Sequence, residues 1–459
     1  MSAIRMIERD RVDLYDHLFS GDGLEAAAAL VCGVAGRARD QLLVRKPILV
    51  PHEACKVRTA KRLTWPGSFL EQAIEEAELI NGAVILMHSH PGGYDQFSRI
   101  DDESDRIVIP VLQHGGRNAA APHGSAIMLP NGCVSARMYD ERLQVRQVQN
   151  ITSVGHRIRN LASNAAPSPL AYSSEMTVDL AKKTAVVVGV SGTGSITAEL
   201  LARLGVGRLV LIDFDKIEAK NLNRIIYATA RDIGKFKTHV LRDAIQKHAP
   251  NAIVETFETR VNHETTLAAA SEADILFSCV DSMEGRYHCD LMAQAFLCPL
   301  IDMGVVIPTR QRDGKLEIAD VCGRVDFVRP GGASLWQRGE VTGEGLAEEY
   351  LRRADPDDHA RQVLEGYLKG VPEEAPSVIS LNMRAASAAV NEWLARLYTI
   401  RHDANEQFAS TYFSLAAGEE EHAQEPEIDN ALPSEVFGQG LRRPLLGLLG
   451  PSHSERRAA

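Results

Sequence analysis

The first third of the chain alternates between two hydrophobic periods. "GLEAAAALVCGVAG" reads as a helix turning into a strand, "LLVRKPILV" as strand, "GSFLEQAIEEAELI" as an amphipathic helix and "GAVILMHSH" as a buried strand. Residues 20–145 are therefore expected to be mixed α/β. Between about 145 and 180 the pattern weakens into "NLASNAAPSPLAYSSEM", a stretch rich in Ala, Ser, Asn and Pro that suits a connector or docking arm. From "TAVVVGVSGTGSITAELLARLG" onward a strand, a glycine turn and a helix are followed by the strands "RLVLID", "ADILFSCVD" and "PLIDMGVV", an alternation that predicts a parallel, doubly wound sheet. The pattern gives a domain at 1–147, a linker at 148–180, a second domain at 181–416 and, from "GEEEHAQEPEIDNALPSE" onward, a loose acidic tail at 417–459. No internal repeat is evident.

Composition narrows the partners. A formal charge of −11 argues against a surface built for nucleic-acid backbone, which needs clustered Lys and Arg. Seven cysteines without CxxC spacing form neither a disulfide framework nor a zinc ribbon, so a reducing compartment is expected. The first residues lack the apolar core of a signal peptide and no run of about 18 apolar residues occurs, which predicts a soluble, cytoplasmic protein with no membrane partner.

Candidate chemistry begins at "MHSHP". Residues i and i+2 of a strand leave from one face, so His88 and His90 are placed to direct both imidazoles at one ion. Asp101, eleven residues after His90 and past a glycine-containing loop, is placed to return as a third ligand from the start of a following helix. Two nitrogens and one carboxylate oxygen leave one position of a tetrahedral zinc ion open, the arrangement of a catalytic site. The longer string, H-x-H-P with Ser98 eight residues after His90 and Asp101 three further on, resembles the signature of the JAMM (JAB/MPN-type) metallo-isopeptidases. The resemblance implies that His88, His90 and Asp101 bind Zn2+ and that Ser98 helps hold a tetrahedral oxyanion. It also implies an upstream glutamate as general base, matched by Glu25 in "GLEAAAALVCG", with Glu53 in "PHEAC" as the other choice.

A second constellation follows. In "AVVVGVSGTGS", Gly189, Gly192 and Gly194 end a strand and open a helix whose amides suit a phosphate. Ser191 occupies the middle position of G-x-G-x-x-G, where a side chain crowds a dinucleotide pyrophosphate. Asp213 ends the next strand, 19 residues after Gly194, well placed for ribose hydroxyls, and up to this point a nicotinamide oxidoreductase fits as well. Asn221, Arg224 and Lys237 then supply the polar and cationic groups that a triphosphate needs, and Asp281, at a strand's carboxyl end, is placed to hold Mg2+. The pattern D-x-D, N-L-x-R and K, with Asp281 and Arg286 as D-x-x-x-x-R and "PSVISLN" at 376–382, resembles the ThiF-like adenylyltransferases, which include ubiquitin-activating enzymes and sulfur-carrier activators. The resemblance covers about 180–400. It implies a Rossmann-like domain that uses ATP and Mg2+ to activate the C-terminal glycine carboxylate of a ubiquitin-like or sulfur-carrier protein, commonly as a homodimer. An arginine supplied from before the Rossmann strand would be Arg157 or Arg159.

The chain departs from that family in two places. "VRPGGASLWQRG" has no cysteine where many members bind a structural zinc, so no second zinc is expected. No cysteine lies between 340 and 376 to carry a thioester; Cys322 is the nearest and sits in a strand-like run, while Cys279 and Cys298 look like core. Taken together, the two halves predict a bifunctional enzyme that adenylates a ubiquitin-like protein and cleaves a peptide or isopeptide bond after its terminal glycine, with a separate conjugating enzyme as a further expected partner. The rival readings are an adenylating enzyme whose N-terminal domain only binds the ubiquitin-like protein, and a sulfur-carrier activator.

Overall fold

A computed structural model of the 459-residue chain describes residues 2–115, 121–356, 359, 378–427 and 435–448. The chain divides into two compact units. One takes Met1–Ser168 together with Gln294–Leu297 and Leu432–Ala459, the other Pro169–Ala293 and Cys298–Ala431.

The first unit is built on a nine-stranded mixed sheet, ordered Ile158–Asn160, Asn150–Val154, Ala3–Ile7, Gln41–Leu49, Ala27–Ala35, Ala83–Ser89, Gly124–Met128, Val134–Tyr139 and Val145–Gln147. The central strand Ala27–Ala35 is buried at all nine positions. Its alanines are expected to begin a helix, but pairing with two antiparallel neighbours and burial of its two faces in separate cores, Ala28 and Leu30 in one and Ala29 and Val31 in the other, override their helical propensity, and the helix of this region is Glu8–Leu18 instead. Helices Ser68–Leu79 and Arg99–Gly115 contribute Ala73, Ala77, Ile109 and Leu112 to a core on one face of the sheet.

The expected linker at 148–180 is not a linker at its start. Asn150–Val154 runs parallel to Ala3–Ile7, with Ile4 opposite Ile151, and Ile158–Asn160 turns back against it. Ile151 and Ser153 are buried in alternation and Val154 beside them, a strand pattern too short to stand out among the flanking polar residues. The loose tail from 417 is also corrected. Glu419–Ala423 pairs with Ser410–Ser414 as an exposed edge strand, and Val436, Phe437 and Gln439 are buried in the first unit, where Gly440 bridges Val34. Few apolar residues in an acidic string concealed both contacts.

The second unit carries an eight-stranded sheet ordered Ile253–Phe257, Arg208–Ile212, Thr184–Val188, Ile275–Ser278, Leu300–Val306, Cys322–Val328, Ser410–Ser414 and Glu419–Ala423. The first five strands are parallel and the last three join antiparallel. The parallel core reverses its order at Thr184–Val188, the switch point at which such sheets open a ligand crevice at their carboxyl edge. Helix Gly192–Arg203 packs along Ile379–Leu397, where the side chain of Asn382 lies 2.2 Å from the position a Cβ on Gly192 would take. A side chain at 192 would therefore displace Asn382. No helix among the described residues is long and apolar enough to cross a membrane.

Candidate metal centre and nucleotide crevice

His88 and His90 leave the strand Ala83–Ser89 on one face, as the alternation requires, and their Nε2 atoms stand 3.1 Å apart. Asp101 enters from the first turn of Arg99–Gly115, with Oδ1 3.2 Å from His88 Nε2 and Oδ2 3.5 Å from His90 Nε2. The Tyr94 carbonyl can only accept, so His90 Nδ1, 2.7 Å away, donates to it, which turns Nε2 toward the cluster. Ser98 and Asp101 form a reciprocal capping pair: the Ser98 N–H donates to Asp101 Oδ2 at 2.6 Å and the Asp101 N–H to Ser98 Oγ at 3.3 Å. The carboxylate is thus fixed by the start of its own helix before anything binds it. Burial opposes its charge, yet His88, His90 and the Ser98 N–H hold the Asp101 carboxyl well below the usual range.

The donor set fits zinc. Ligand atoms of His88, His90 and Asp101 all lie within 4.8 Å of one another, and the three separations resemble the ~3.3 Å edge of a tetrahedron with zinc–ligand bonds of about 2.0–2.1 Å. Glu25 stands just before Ala27–Ala35, whose Ala27 is paired with His88. It is buried, and its carboxyl is pushed up by that burial, partly offset by His88 and His90. Glu53 is exposed on a short turn, His52–Ala54.

In the second unit Gly189 takes φ +84°, which brings the Cys279 carbonyl within 2.8 Å and Val280 Cγ1 within 3.2 Å of a would-be Cβ. The glycine turn therefore abuts Cys279 and Val280, just past strand Ile275–Ser278, and Val280 immediately precedes the exposed Asp281. A Cβ on Gly194 would fall 1.8 Å from the Gly189 carbonyl oxygen. Ser191, at the N-cap of Gly192–Arg203, makes no side-chain cap, so its hydroxyl does not take up the first amides of that helix. Asp213 is buried; its carboxylate accepts from Val190 N–H at 2.7 Å and from Asp215 N–H at 2.8 Å. Lys237, buried at the start of Lys237–Ile245, reaches Asp215 at 2.7 Å and Asp213 at 3.8 Å. Ile226 N–H donates to Ser195 Oγ, which ties the segment bearing Asn221 and Arg224 to the same helix start. Asn221 is buried and caps its own short turn by accepting from Glu218 N–H, and Arg224 donates to the Lys220 carbonyl.

Several placements go beyond the motif reading. Asp215, the second carboxylate of the D-x-D string, is the more open one beside Lys237. Arg286 turns to the fully buried Asp302, which also takes Ser278 Oγ at 2.6 Å and Arg324 at 2.8 Å. No periodicity marks such a buried charge. Arg157 and Arg159 lie exposed at the turn and edge strand of a hairpin in the first unit, not on a helix face, and Arg159 is 3.9 Å from Glu8. Cys322 begins a strand, with its thiol pushed up by burial and by Asp320. "VRPGGASLWQRG" is tied down by Arg338, which donates to the Phe327 and Ala409 carbonyls. In "PSVISLN", Pro376 and Ser377 lie outside the described residues, and Ile379 starts the helix that carries Asn382.

Comparison with known proteins separates the same two parts. Residues 9–138 match the prokaryotic homologs of the JAB domain, and residues 169–430, more than half of the chain, match the ThiF family. The chain belongs to the ThiF family. Its ThiF part is fused to a JAB-like domain, as the two motifs implied. Ubiquitin-like modifier-activating enzyme 5 of Drosophila willistoni is 30% identical over 186 residues, 38% of this chain and 43% of that protein. The protein of the same name from Culex quinquefasciatus is 27% identical over 240 residues, 47% of this chain and 57% of its own. The chain thus spans about half the length of the curated relatives it matches. A crystal structure of E. coli MccB with ATP aligns with a TM-score of 0.42 at 18% identity, covering 56% of this chain and 69% of that one.

Proposed function

We propose that this chain is a bifunctional enzyme of a ubiquitin-like protein system. One half adenylates the C-terminal glycine carboxylate of a ubiquitin-like or sulfur-carrier protein, and the other cleaves the peptide or isopeptide bond that follows such a glycine. The observation that carries the reading is the compact His88, His90 and Asp101 cluster on the same chain as a ThiF-family crevice.

In the crevice, the amides after Ser191 and the side chains of Lys237 and Arg224 face the phosphates of ATP, and their charge stabilises pyrophosphate as it departs. Asp213 fixes the glycine turn and, with Asp215, offers oxygens to the ribose hydroxyls. Asn221 holds the segment that presents Arg224. Magnesium held by Asp281 would neutralise the phosphate oxygens there. The glycine carboxylate attacks the α-phosphorus, forming an acyl-adenylate and releasing pyrophosphate.

In the JAB-like domain, His88, His90 and Asp101 would hold zinc, which supplies Lewis acidity and a nucleophile at neutral pH. Glu25, its carboxyl raised by burial, takes a proton from the attacking water and delivers it to the leaving amine. Ser98 keeps its hydroxyl hydrogen while accepting from Asp101 N–H, so that hydrogen is available to the oxyanion.

The test uses the full chain, ATP and purified ubiquitin-fold proteins ending in glycine. Exchange of labelled pyrophosphate into ATP that depends on such a protein, and zinc-dependent cleavage of the same protein extended beyond its glycine, are the expected results. Exchange without cleavage would reduce the JAB-like half to a binding module, and neither activity with any such protein would remove the reading.

A further inference from the structure

The strand Val134–Tyr139 presents two different faces. Val134, Ala136 and Met138 join the main core, while Ser135, Arg137 and Tyr139 point to the opposite side. That second side meets the loop and helix that carry Ser98 and Asp101. Arg137 is buried, and its guanidinium lies 3.8 Å from the centre of the Phe97 ring. Its Nη1 donates to Asp102 Oδ1 at 2.6 Å and its Nε to Asp105 Oδ2 at 2.9 Å. Asp105 is itself buried and accepts from Ser125 Oγ at 2.5 Å and Tyr139 Oη at 2.7 Å. Two strands and a helix therefore converge on one carboxylate.

The contacts bracket the capping pair. Phe97 immediately precedes Ser98, Asp102 immediately follows Asp101, and Asp105 lies one helical turn further on. One planar cation thus restrains the chain on both sides of the Ser98 and Asp101 pair. Ser135 secures the loop independently, donating to the Asp95 carbonyl at 2.6 Å, next to the Tyr94 carbonyl that orients His90. A carboxylate ligand is useful only if its oxygens stay within a few tenths of an ångström of the position the ion needs, and such outer partners commonly set both affinity and activity.

We propose that Arg137 is the positioning residue of the metal centre: its simultaneous grip on Phe97, Asp102 and Asp105 holds Asp101 and Ser98 in register with His88 and His90. The proposal rests on the reading of that cluster as a zinc site. It acts through geometry rather than charge, because lysine, with the same charge, cannot span Asp102 and Asp105 with a planar fork or stack on Phe97.

The experiment titrates the purified full chain with zinc against a competing chelator, with cobalt absorption as a report on coordination geometry and thermal melting as a report on folding. Arg137→Lys is expected to weaken zinc binding about 10- to 100-fold in the folded protein and to alter the cobalt spectrum. Asp102→Asn, at a partly exposed position that leaves the buried Arg137 and Asp105 pair intact, is expected to cost about 10-fold and guards against loss of fold in the first variant. Arg106→Gln, an exposed change of charge on the same helix, is expected to leave affinity and spectrum unchanged. If Arg137→Lys and Asp102→Asn melt lower but bind zinc as the parent does, Arg137 only stabilises the fold and the proposal falls. Equal weakening by Arg106→Gln would make the effect one of charge and also overturn it. A parent chain that takes up no zinc would instead remove the reading of the cluster itself.

Discussion

His88 Nε2 stands 3.2 Å from Asp101 Oδ1, so an imidazole fixed by a buried strand meets a carboxylate fixed by a helix start. Because Asp101 serves both as helix cap and as cluster member, the two roles can be separated by substitution. Asparagine keeps a cap oxygen but not the anionic ligand. Asp101→Asn is expected to melt within a few degrees of the parent while losing zinc affinity on the order of 100-fold or more; His88→Ala should show the same loss. Metal content after dialysis measures both. An Asp101→Asn protein that keeps one zinc per chain would contradict the ligand assignment.

Glu25 has a separate expected signature. It is buried beside the cluster, with a carboxyl raised chiefly by desolvation, and it is not needed to complete the three-ligand set. Glu25→Gln should retain zinc and fold but lose cleavage by about 10²- to 10⁴-fold, the usual contribution of a general base. If cleavage survives in that variant and disappears in Glu53→Gln, the exposed glutamate is the base.

The crevice predictions rest on exposure. Asp281 is exposed and bears no structural burden, so Asp281→Ala should melt like the parent while pyrophosphate exchange falls by about 10²-fold or more. Lys237 is different. It is buried beside Asp213 and the half-exposed Asp215, so Lys237→Met should lose exchange and also destabilise the protein, because the buried Asp213 carboxylate loses its nearby cation. Calorimetric unfolding separates the two variants, and an Asp281→Ala protein with full exchange would take that residue out of the site.

How much of this was legible depended on whether the signal was local. The pair His88 and His90 on one strand, the return of Asp101 on a helix and the glycine turn before Gly192–Arg203 each follow from spacing and appear as read. What was missed is non-local. The alanines of Ala27–Ala35 become strand only because neighbours cover both faces, and Asn150–Val154 becomes strand only through its pairing with Ala3–Ile7, far away in sequence. Nothing near Asp105, Arg137 and Asp302 in the chain marks them as buried, since their charged partners lie 16 to 35 residues away.

Acid should weaken the first unit through His123. The Val84 N–H, in the strand that carries His88 and leads into His90, donates to His123 Nδ1 at 3.1 Å, so that nitrogen carries no proton. Burial pushes the imidazole down to about 4. An unfolded histidine titrates near 6.5, so above that pH both states are neutral and the full stability is present. As pH falls from about 6.5 towards 4 the unfolded chain binds the proton first, and stability drops by up to about 3 kcal/mol before levelling off below 4. His123→Gln removes this titration. Hydrogen exchange of Ala83–Ser89 between pH 7 and 4.5, corrected for intrinsic rates, is therefore expected to show protection falling with pH in the parent and falling much less in the variant. Parallel losses in both proteins would mean that another group controls the acid response.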